Sequence, residues 1–319
     1  MAALTRLRLL LPSMLLALAS LALASPAPAA VRAVDDAGTR VELAAPATRI
    51  VTLSPSAAEV VDAAGAGARI VGVVRGSDHP SAMRELPVVG DVTALDLERI
   101  VMLAPDLIVT WPWTTPRQVA SLRARGIPVF EADPHTIDGI ATDIERIGRL
   151  TATEAIASAA ARAFRERVAD AAAAADASHL PPLRVFYQVS DAPLFTLGGT
   201  HLVSQALALC GGENVFARLT IPAPQVGVEA VLAADPQVIV AGTDGASRPG
   251  WLDAWSRWPA LAAVRHHALY TVDANLLHRP GPRFAEGIAQ LCATLANARR
   301  AMASHAYDPS AANHAAGRR

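Results

Sequence analysis

Histidine is the residue type in this chain best suited to metal binding and to acid–base chemistry near neutral pH. The nine histidines do not pair at the spacing of metal ligands, so the sequence predicts no metal site. No Gly-x-Ser-x-Gly, Gly-x-x-x-x-Gly-Lys or His-Glu-x-x-His motif occurs, and no catalytic residues are predicted. His79 and His278 are the better candidates for contact with a ligand, since both lie in loops that follow predicted strands. The nine are His79, His135, His179, His201, His266, His267, His278, His305 and His314.

Two glutamates occupy matching places in an internal repeat. Residues 97–109 align without gaps on residues 228–240, and each stretch predicts a helix, a turn containing proline and a buried strand. Glu98 and Glu229 are the second residues of these stretches. Helix–turn–strand units also resemble one another by chance, and the helix dipole favours an acidic residue in any first turn. The repeat favours two similar halves that each present one carboxylate.

The two cysteines, Cys210 and Cys292, both lie in the second half of the chain. An even number of cysteines in an exported protein favours one disulfide, because the compartment is oxidising. Two buried thiols are the alternative.

The N-terminus predicts export. Arg6 and Arg8 precede an apolar run at 9–23, which is followed by an Ala-x-Ala pattern. This arrangement is typical of a cleaved signal peptide, here residues 1–30, and the run is short for a membrane span and interrupted by Pro12. The mature protein is expected in the periplasm and not embedded in the membrane. The net charge of −1 and the pI near 6.8 of the full chain indicate no attraction to nucleic acid.

A long helix is expected to position the rest of the chain. Residues 149–180 contain no Gly or Pro and are rich in alanine, the strongest helix former. Thr151 and Glu154 have the spacing of a capping box, and apolar residues from Ile156 to Ala175 recur at three- and four-residue steps. Such a helix spans roughly 40 Å. A core helix of an all-α protein is the alternative.

Strands and helices alternate on both sides of this helix, which favours parallel sheets with helical connections. The sequence therefore predicts an α/β fold with two similar lobes and one long helix that joins them. The loop 75–80 and Trp111 follow predicted strands, where α/β sheets place ligand sites. The predicted units are a signal peptide 1–30, an N-terminal lobe 31–149, a linking helix 150–180, a C-terminal lobe 181–303 and a flexible tail 304–319.

Several segments between residue 49 and about residue 298 resemble the helical-backbone periplasmic binding proteins for iron complexes, haem and vitamin B12. Glu59, shortly after the first of them, is part of the same likeness. The segments are 49–55, 96–101, 104–111, 184–188, 209–216, 222–226 and 279–283.

The resemblance implies a ligand cleft between the two lobes. It implies a binding protein that has no cofactor of its own and captures a corrinoid, cobalamin (vitamin B12), in this cleft. It implies a disulfide between Cys210 and Cys292. It also implies that Glu98 and Glu229 dock on arginine pockets of a dimeric inner-membrane ABC permease. Two similar lobes suit a twofold partner, and a carboxylate pairs bidentately with arginine. The protein is expected to be a monomer without a nucleic-acid partner.

The ligand-binding residues carried over by the resemblance are few. Trp111 matches a cleft aromatic residue and Arg279 a cleft arginine. Smaller residues replace the other aromatic residues of vitamin B12 binders, and this removes rigid contact area. The replacements are Gly76, Val92, Val189 and Ala223.

These departures leave haem or a ferric siderophore open as the ligand. Haem requires an axial ligand, for which His79 or His278 is available. Trp113, Tyr187 and Phe195 are candidates for substitute walls of the cleft, although each also suits a core position. Two further alternatives are a secreted enzyme on the same frame and a sensor that docks a membrane partner.

Overall fold

The computed structural model describes residues 29–111, 114–175, 180–244 and 248–306. Nearly all of the predicted signal peptide lies outside these ranges, as do Trp113, residues 176–179 of the predicted linking helix and residues 307–319 of the predicted tail. Across the described ranges, no helix combines the length and the apolar character needed to cross a membrane.

The N-terminal lobe is built on a parallel sheet. Its elements are β1 (Val31–Val34), β2 (Arg40–Leu43), β3 (Ile50–Thr52), α1 (Pro55–Val61), β4 (Ile70–Gly72), α2 (Leu97–Met102), β5 (Leu107–Thr110), α3 (Pro116–Arg123), β6 (Val129–Glu131) and α4 (Ile137–Thr151). Strands β3 to β6 pair in the order β4-β3-β5-β6, all parallel, and β1 and β2 form an antiparallel hairpin. Ser54 caps α1, since its hydroxyl accepts a hydrogen bond from the Ala57 amide.

The linking helix α5 (Glu154–Ala175) starts later than the sequence predicted. Ala152 adopts a left-handed conformation with φ 52°, which ends α4 and separates the two helices. Thr151 is the last residue of α4 and its hydroxyl donates to the Ile147 carbonyl within that helix, so it does not cap α5 and the predicted capping box with Glu154 is wrong. At 1.5 Å per residue, the 22 residues of α5 span about 33 Å.

The C-terminal lobe repeats the plan of the first. Its elements are β7 (Leu183–Gln188), β8 (Ser190–Asp191), β9 (Leu194–Phe195), α6 (Leu202–Leu209), β10 (Gly212–Asn214), α7 (Val228–Ala234), β11 (Val238–Thr243), α8 (Gly250–Asp253), α9 (Ala262–Arg265), β12 (Leu269–Asp273), α10 (Ala274–Leu277) and α11 (Phe284–Ala306). The main sheet has the parallel order β10-β7-β11-β12. In both sheets the second strand along the chain lies outside the first, so the α/β fold with two similar lobes is confirmed.

The internal repeat corresponds to equivalent helix–turn–strand units, α2–β5 and α7–β11, and β5 and β11 hold the same place in their sheets. The turn contains a residue with positive φ in each, Ala104 at 44° and Asp235 at 39°. Glu98 and Glu229 are both the second residue of their helix, and both are exposed.

Helix α5 packs against α4 of the first lobe and α11 of the second. Ala157, Ala161 and Phe164 form its buried face. Gly148 of α4 permits this close approach, since a Cβ there would lie 2.3 Å from the Ala157 Cβ. Ile156, which the sequence placed on the buried stripe, lies outside it and is half exposed. A helix held by both lobes restricts their relative motion.

The predicted disulfide is present. Cys210, at the end of α6, bonds to Cys292 of α11 across a sequence separation of 82, and both residues are buried. The bridge ties the last helix to the C-terminal lobe. Helix α11 continues to Ala306, beyond the predicted end of that lobe at residue 303.

Candidate functional site

A cavity of about 870 Å³ lies between the two lobes. Its volume is near the upper end of the range for small-molecule sites, about 300–1,000 Å³. Trp111 follows β5 and Asp133 to His135 follow β6, so the first lobe contributes from the carboxyl ends of its strands, where parallel sheets bind ligands. The second lobe contributes Thr200, His201, Leu202, Gln205, Ile221, Pro222, Ala223, Leu277, His278, Pro280 and Phe284.

His201 lines this cavity and caps α6. Its Nδ1 accepts a hydrogen bond of 3.1 Å from the Val203 amide, which satisfies a donor at the helix start. Burial lowers the pKa of His201 to about 4, and the nearby His278 adds to the decrease. The imidazole is therefore neutral at physiological pH.

His278 forms a hydrogen bond with a buried tyrosine. Its Nε2 lies 3.0 Å from the Tyr187 hydroxyl, and burial lowers the pKa of His278 to about 4. Gly242 makes room for this pair, because a Cβ at that position would lie 2.6 Å from the Tyr187 oxygen. Nε2 of His278, the ring nitrogen that a haem iron would need as a ligand, is therefore already hydrogen-bonded to the protein.

Gln205 joins the lobes across the cavity. From α6 of the second lobe, its Nε2 donates to the His135 carbonyl at 2.7 Å. Its Oε1 accepts from the Ile137 amide at 3.3 Å. One side chain thereby makes two hydrogen bonds to the first lobe.

An ion cluster joins the lobes at a second place. Glu59 of α1 is buried, and Arg283 binds it bidentately at 3.0 and 2.5 Å. Arg279 donates to Asp78 at 2.7 Å and lies 3.8 Å from Glu59. Partial burial opposes ionisation of Asp78, but the hydrogen bond and charge of Arg279 outweigh it, and the pKa of Asp78 is lowered. Four charged side chains from both lobes neutralise one another here.

The cavity itself carries little charge. Among the lining residues within the described ranges, none is Lys or Arg, and Asp133 is the one carboxylate. Burial raises the pKa of Asp133; His135 opposes this rise and Asp36 adds to it. Most of the remaining lining is apolar, from Trp111 to Phe284. Such walls suit a large, nearly neutral ligand with polar groups on its rim.

The structure brings together some of the predicted ligand-binding residues. Trp111 and Ala223 line the cavity. Arg279 belongs to the ion cluster, beside the lining residues His278 and Pro280. The other predicted residues lie elsewhere: Gly76 and His79 are exposed in the loop after β4, and Val189 packs against the core.

The alternative wall residues also have defined places where the structure describes them. Tyr187 is fully buried behind His278, and Phe195 is half-buried in β9. Sequence reasoning missed His135, His201 and Gln205. The strand-end rule that singled out Trp111 also applies to residues 133–135 after β6, but no local signal marked Gln205.

The comparisons with known proteins agree with this architecture. The sequence profile of the periplasmic binding protein family matches residues 50–276. A vitamin B12-binding protein of Vibrio cholerae serotype O1 is 37% identical over 252 residues, which is 78% of this chain and 90% of that protein. A vitamin B12-binding protein of Yersinia pestis is 37% identical over 253 residues, covering 79% and 87%.

Solved structures show the same similarity. The crystal structure of the periplasmic vitamin B12-binding protein of Vibrio cholerae matches with a TM-score of 0.72 at 36% identity, covering 80% of this chain and 98% of that chain. A periplasmic haem-binding protein from Pseudomonas aeruginosa matches with a TM-score of 0.67 at 26% identity, covering 77% and 92%. The profile match and the curated relatives together place this chain in the periplasmic binding protein family.

Proposed function

We propose that this protein captures a corrinoid, cobalamin, in the periplasm and delivers it to an inner-membrane ABC permease. The cavity between the lobes, large, mostly apolar and without an Arg or Lys among its described lining residues, carries the proposal. The two curated relatives and the Vibrio cholerae crystal structure named above are vitamin B12-binding proteins at 36–37% identity, which supports the same ligand, whereas the haem-binding protein named above is 26% identical. The role is binding without catalysis, and export through the predicted signal peptide supplies the location.

The charge of the cavity favours cobalamin over haem. Haem carries two carboxylates, and a buried carboxylate requires a cation or several hydrogen bonds. The described lining offers Asp133 and neutral histidines instead, while Arg279 is engaged with Asp78. Cobalamin carries uncharged carboxamides around a corrin ring, and this rim places no carboxylate beside Asp133.

Cyanocobalamin is expected to bind the purified protein with a Kd of about 1 µM or tighter, a binding free energy of about −8 kcal/mol. Isothermal titration calorimetry measures this value, and a parallel titration with haemin follows the Soret band. Trp111→Ala shows whether the ligand occupies the cavity, since the loss of this aromatic wall should weaken binding about tenfold. A Soret shift with haemin and no heat with cyanocobalamin would refute the choice of ligand.

We also propose that Glu98 and Glu229 are the docking points for the permease. Both are exposed, and they hold the same position in equivalent helices of the two lobes. A twofold partner would meet two equivalent carboxylates, and each charged pair with arginine would contribute to docking.

Replacing both glutamates with alanine is expected to weaken binding to the permease at least about tenfold, with cobalamin affinity unchanged, because two charge-assisted contacts are lost away from the cavity. Pull-down on permease reconstituted in nanodiscs and cobalamin uptake by cells measure the effect. The control is Glu42→Ala with Glu213→Ala, which removes the same charge from exposed positions of both lobes. Equal docking by the two double variants would rule out the docking role.

A further inference from the structure

The position of the proton on His201 is set by the start of α6. Nδ1 accepts the hydrogen bond from the Val203 amide, so it presents a lone pair. A neutral imidazole carries one proton, which must then be on Nε2. Burial, with a further contribution from His278, holds the pKa of His201 near 4, and the ring stays neutral at physiological pH. His201 therefore presents a fixed N–H donor rather than a lone pair at Nε2.

This donor faces the cavity. His201 lines the space between the lobes, and its Nδ1 edge is turned toward its own helix, so the opposite edge of the ring is left for the cavity. Within the described part of the chain, Nε2 of His201 has no hydrogen-bond partner. A donor in this position is available to a ligand.

The other histidines of the cavity differ from His201. Nε2 of His278 is engaged by the Tyr187 hydroxyl at 3.0 Å. The side chain of His135 is 76% exposed, and its Nδ1 lies 3.8 Å from Asp133. His201 thus combines burial, neutrality and a defined tautomer. A protonated Nε2 has no lone pair for a metal, so this ring is not suited to bind cobalt or iron.

We propose that Nε2–H of His201 donates a hydrogen bond to a carboxamide carbonyl oxygen on the rim of the bound corrinoid, and that this contact contributes to ligand specificity. The inference rests on the proposed function and adds a recognition group to it. A carboxylate is a poorer partner here, because the described lining provides Asp133 but no Arg or Lys to neutralise a second anion.

The test uses a substitution that retains the helix cap. His201→Ser removes the imidazole donor, while serine is among the best N-cap residues and still accepts from the helix amides. Cyanocobalamin affinity is expected to decrease about tenfold, since one buried hydrogen bond is lost, with the thermal midpoint nearly unchanged. His266→Ser is the matched control, because it removes an imidazole outside the cavity and should leave affinity unchanged. Equal affinity of wild type and His201→Ser would overturn the inference.

A second measurement separates donation from metal ligation. Binding of aquocobinamide, a corrinoid whose axial water can be exchanged, is expected to leave its absorption bands in place and to be about equally tight from pH 6 to 8. Bands that shift on binding to wild type but not to His201→Ser would show ligation through Nε2 and contradict the proposed donor. Absence of any corrinoid binding by wild type would instead refute the proposed function itself.

Affinity for cobyrinic acid, which carries carboxylates in place of the carboxamides on the same ring, provides a third result. This affinity is expected to be at least tenfold weaker than the affinity for aquocobinamide, whose ring carries the carboxamides. It should increase toward acid pH as the carboxylates or His201 take up protons. Equal affinity for the two rings at pH 8 would contradict recognition of a neutral carbonyl.

Discussion

Glu59→Gln is expected to lower the free energy of unfolding by about 3 kcal/mol, because it breaks a buried ion pair and removes the carboxylate that binds Arg283. The Glu59 side chain is 1% exposed, and both of its oxygens accept from Arg283. Nη1 of Arg279 lies 3.8 Å from the Glu59 carboxylate, and Arg279 retains Asp78 as its partner. Glutamine has nearly the same shape, so the charge is the main change. Urea unfolding measures the effect.

The matched control is Glu145→Gln. Glu145 also pairs with an arginine, Arg165, at 2.6 Å, but its side chain is 30% exposed, and water can replace the lost contact. Its replacement should cost less than about 1 kcal/mol. Replacing Glu59 and Arg283 together by leucine and methionine should recover much of the loss, since no charge of that pair is left buried. Equal losses for the two glutamine variants would contradict the account.

Removal of the disulfide by Cys210→Ala with Cys292→Ala is expected to lower the free energy of unfolding by about 4 kcal/mol. The bridge closes a loop with a sequence separation of 82, and a loop of this length restricts the unfolded chain by about that amount. Both sulfur atoms lie in the core between α6 and α11, so the variant should also lose some packing. Urea unfolding under oxidising conditions compares the two proteins.

Dithiothreitol provides the control for the disulfide. It should lower the stability of the wild type to nearly that of the double variant and leave the variant itself unchanged. A wild type whose unfolding curve is the same in oxidised and reduced form, with reduction verified by mass spectrometry, would show that the bridge does not stabilise the fold. Cyanocobalamin affinity should be preserved in the variant at temperatures below its unfolding transition.

Patterns local in sequence predicted most of the architecture. The alternation of strands and helices indicated both lobes, and the repeat around Glu98 and Glu229 indicated their equivalence. The start of α5 was misplaced, because alanine-rich sequence supports a helix through Ala152 as readily as around it. The left-handed conformation of Ala152 comes from packing, since the turn at this residue lets α5 lie against α4 at Gly148. Helix propensity alone does not contain that information.

The site was predicted less completely because its contacts join residues distant in sequence. Arg279 was expected to face the ligand, whereas Asp78, 201 residues away, accepts its hydrogen bond. Glu59 was singled out as part of the resemblance, and nothing local in sequence indicated that it is buried beside Arg283 from the other lobe. Gln205 bridges the lobes without a local motif. Such pairings follow from the arrangement of the lobes rather than from neighbouring residues.

The contact of α5 with both lobes has a consequence for the import cycle. Because the helix contacts both lobes, we expect the spacing between Glu98 and Glu229 to be nearly the same in the empty and the filled protein. A permease that binds both glutamates at this spacing would bind the empty protein as well as the filled one. Empty molecules would then act as competitive inhibitors of filled ones. The rate of import then depends on the fraction of molecules carrying cargo, and not only on their number.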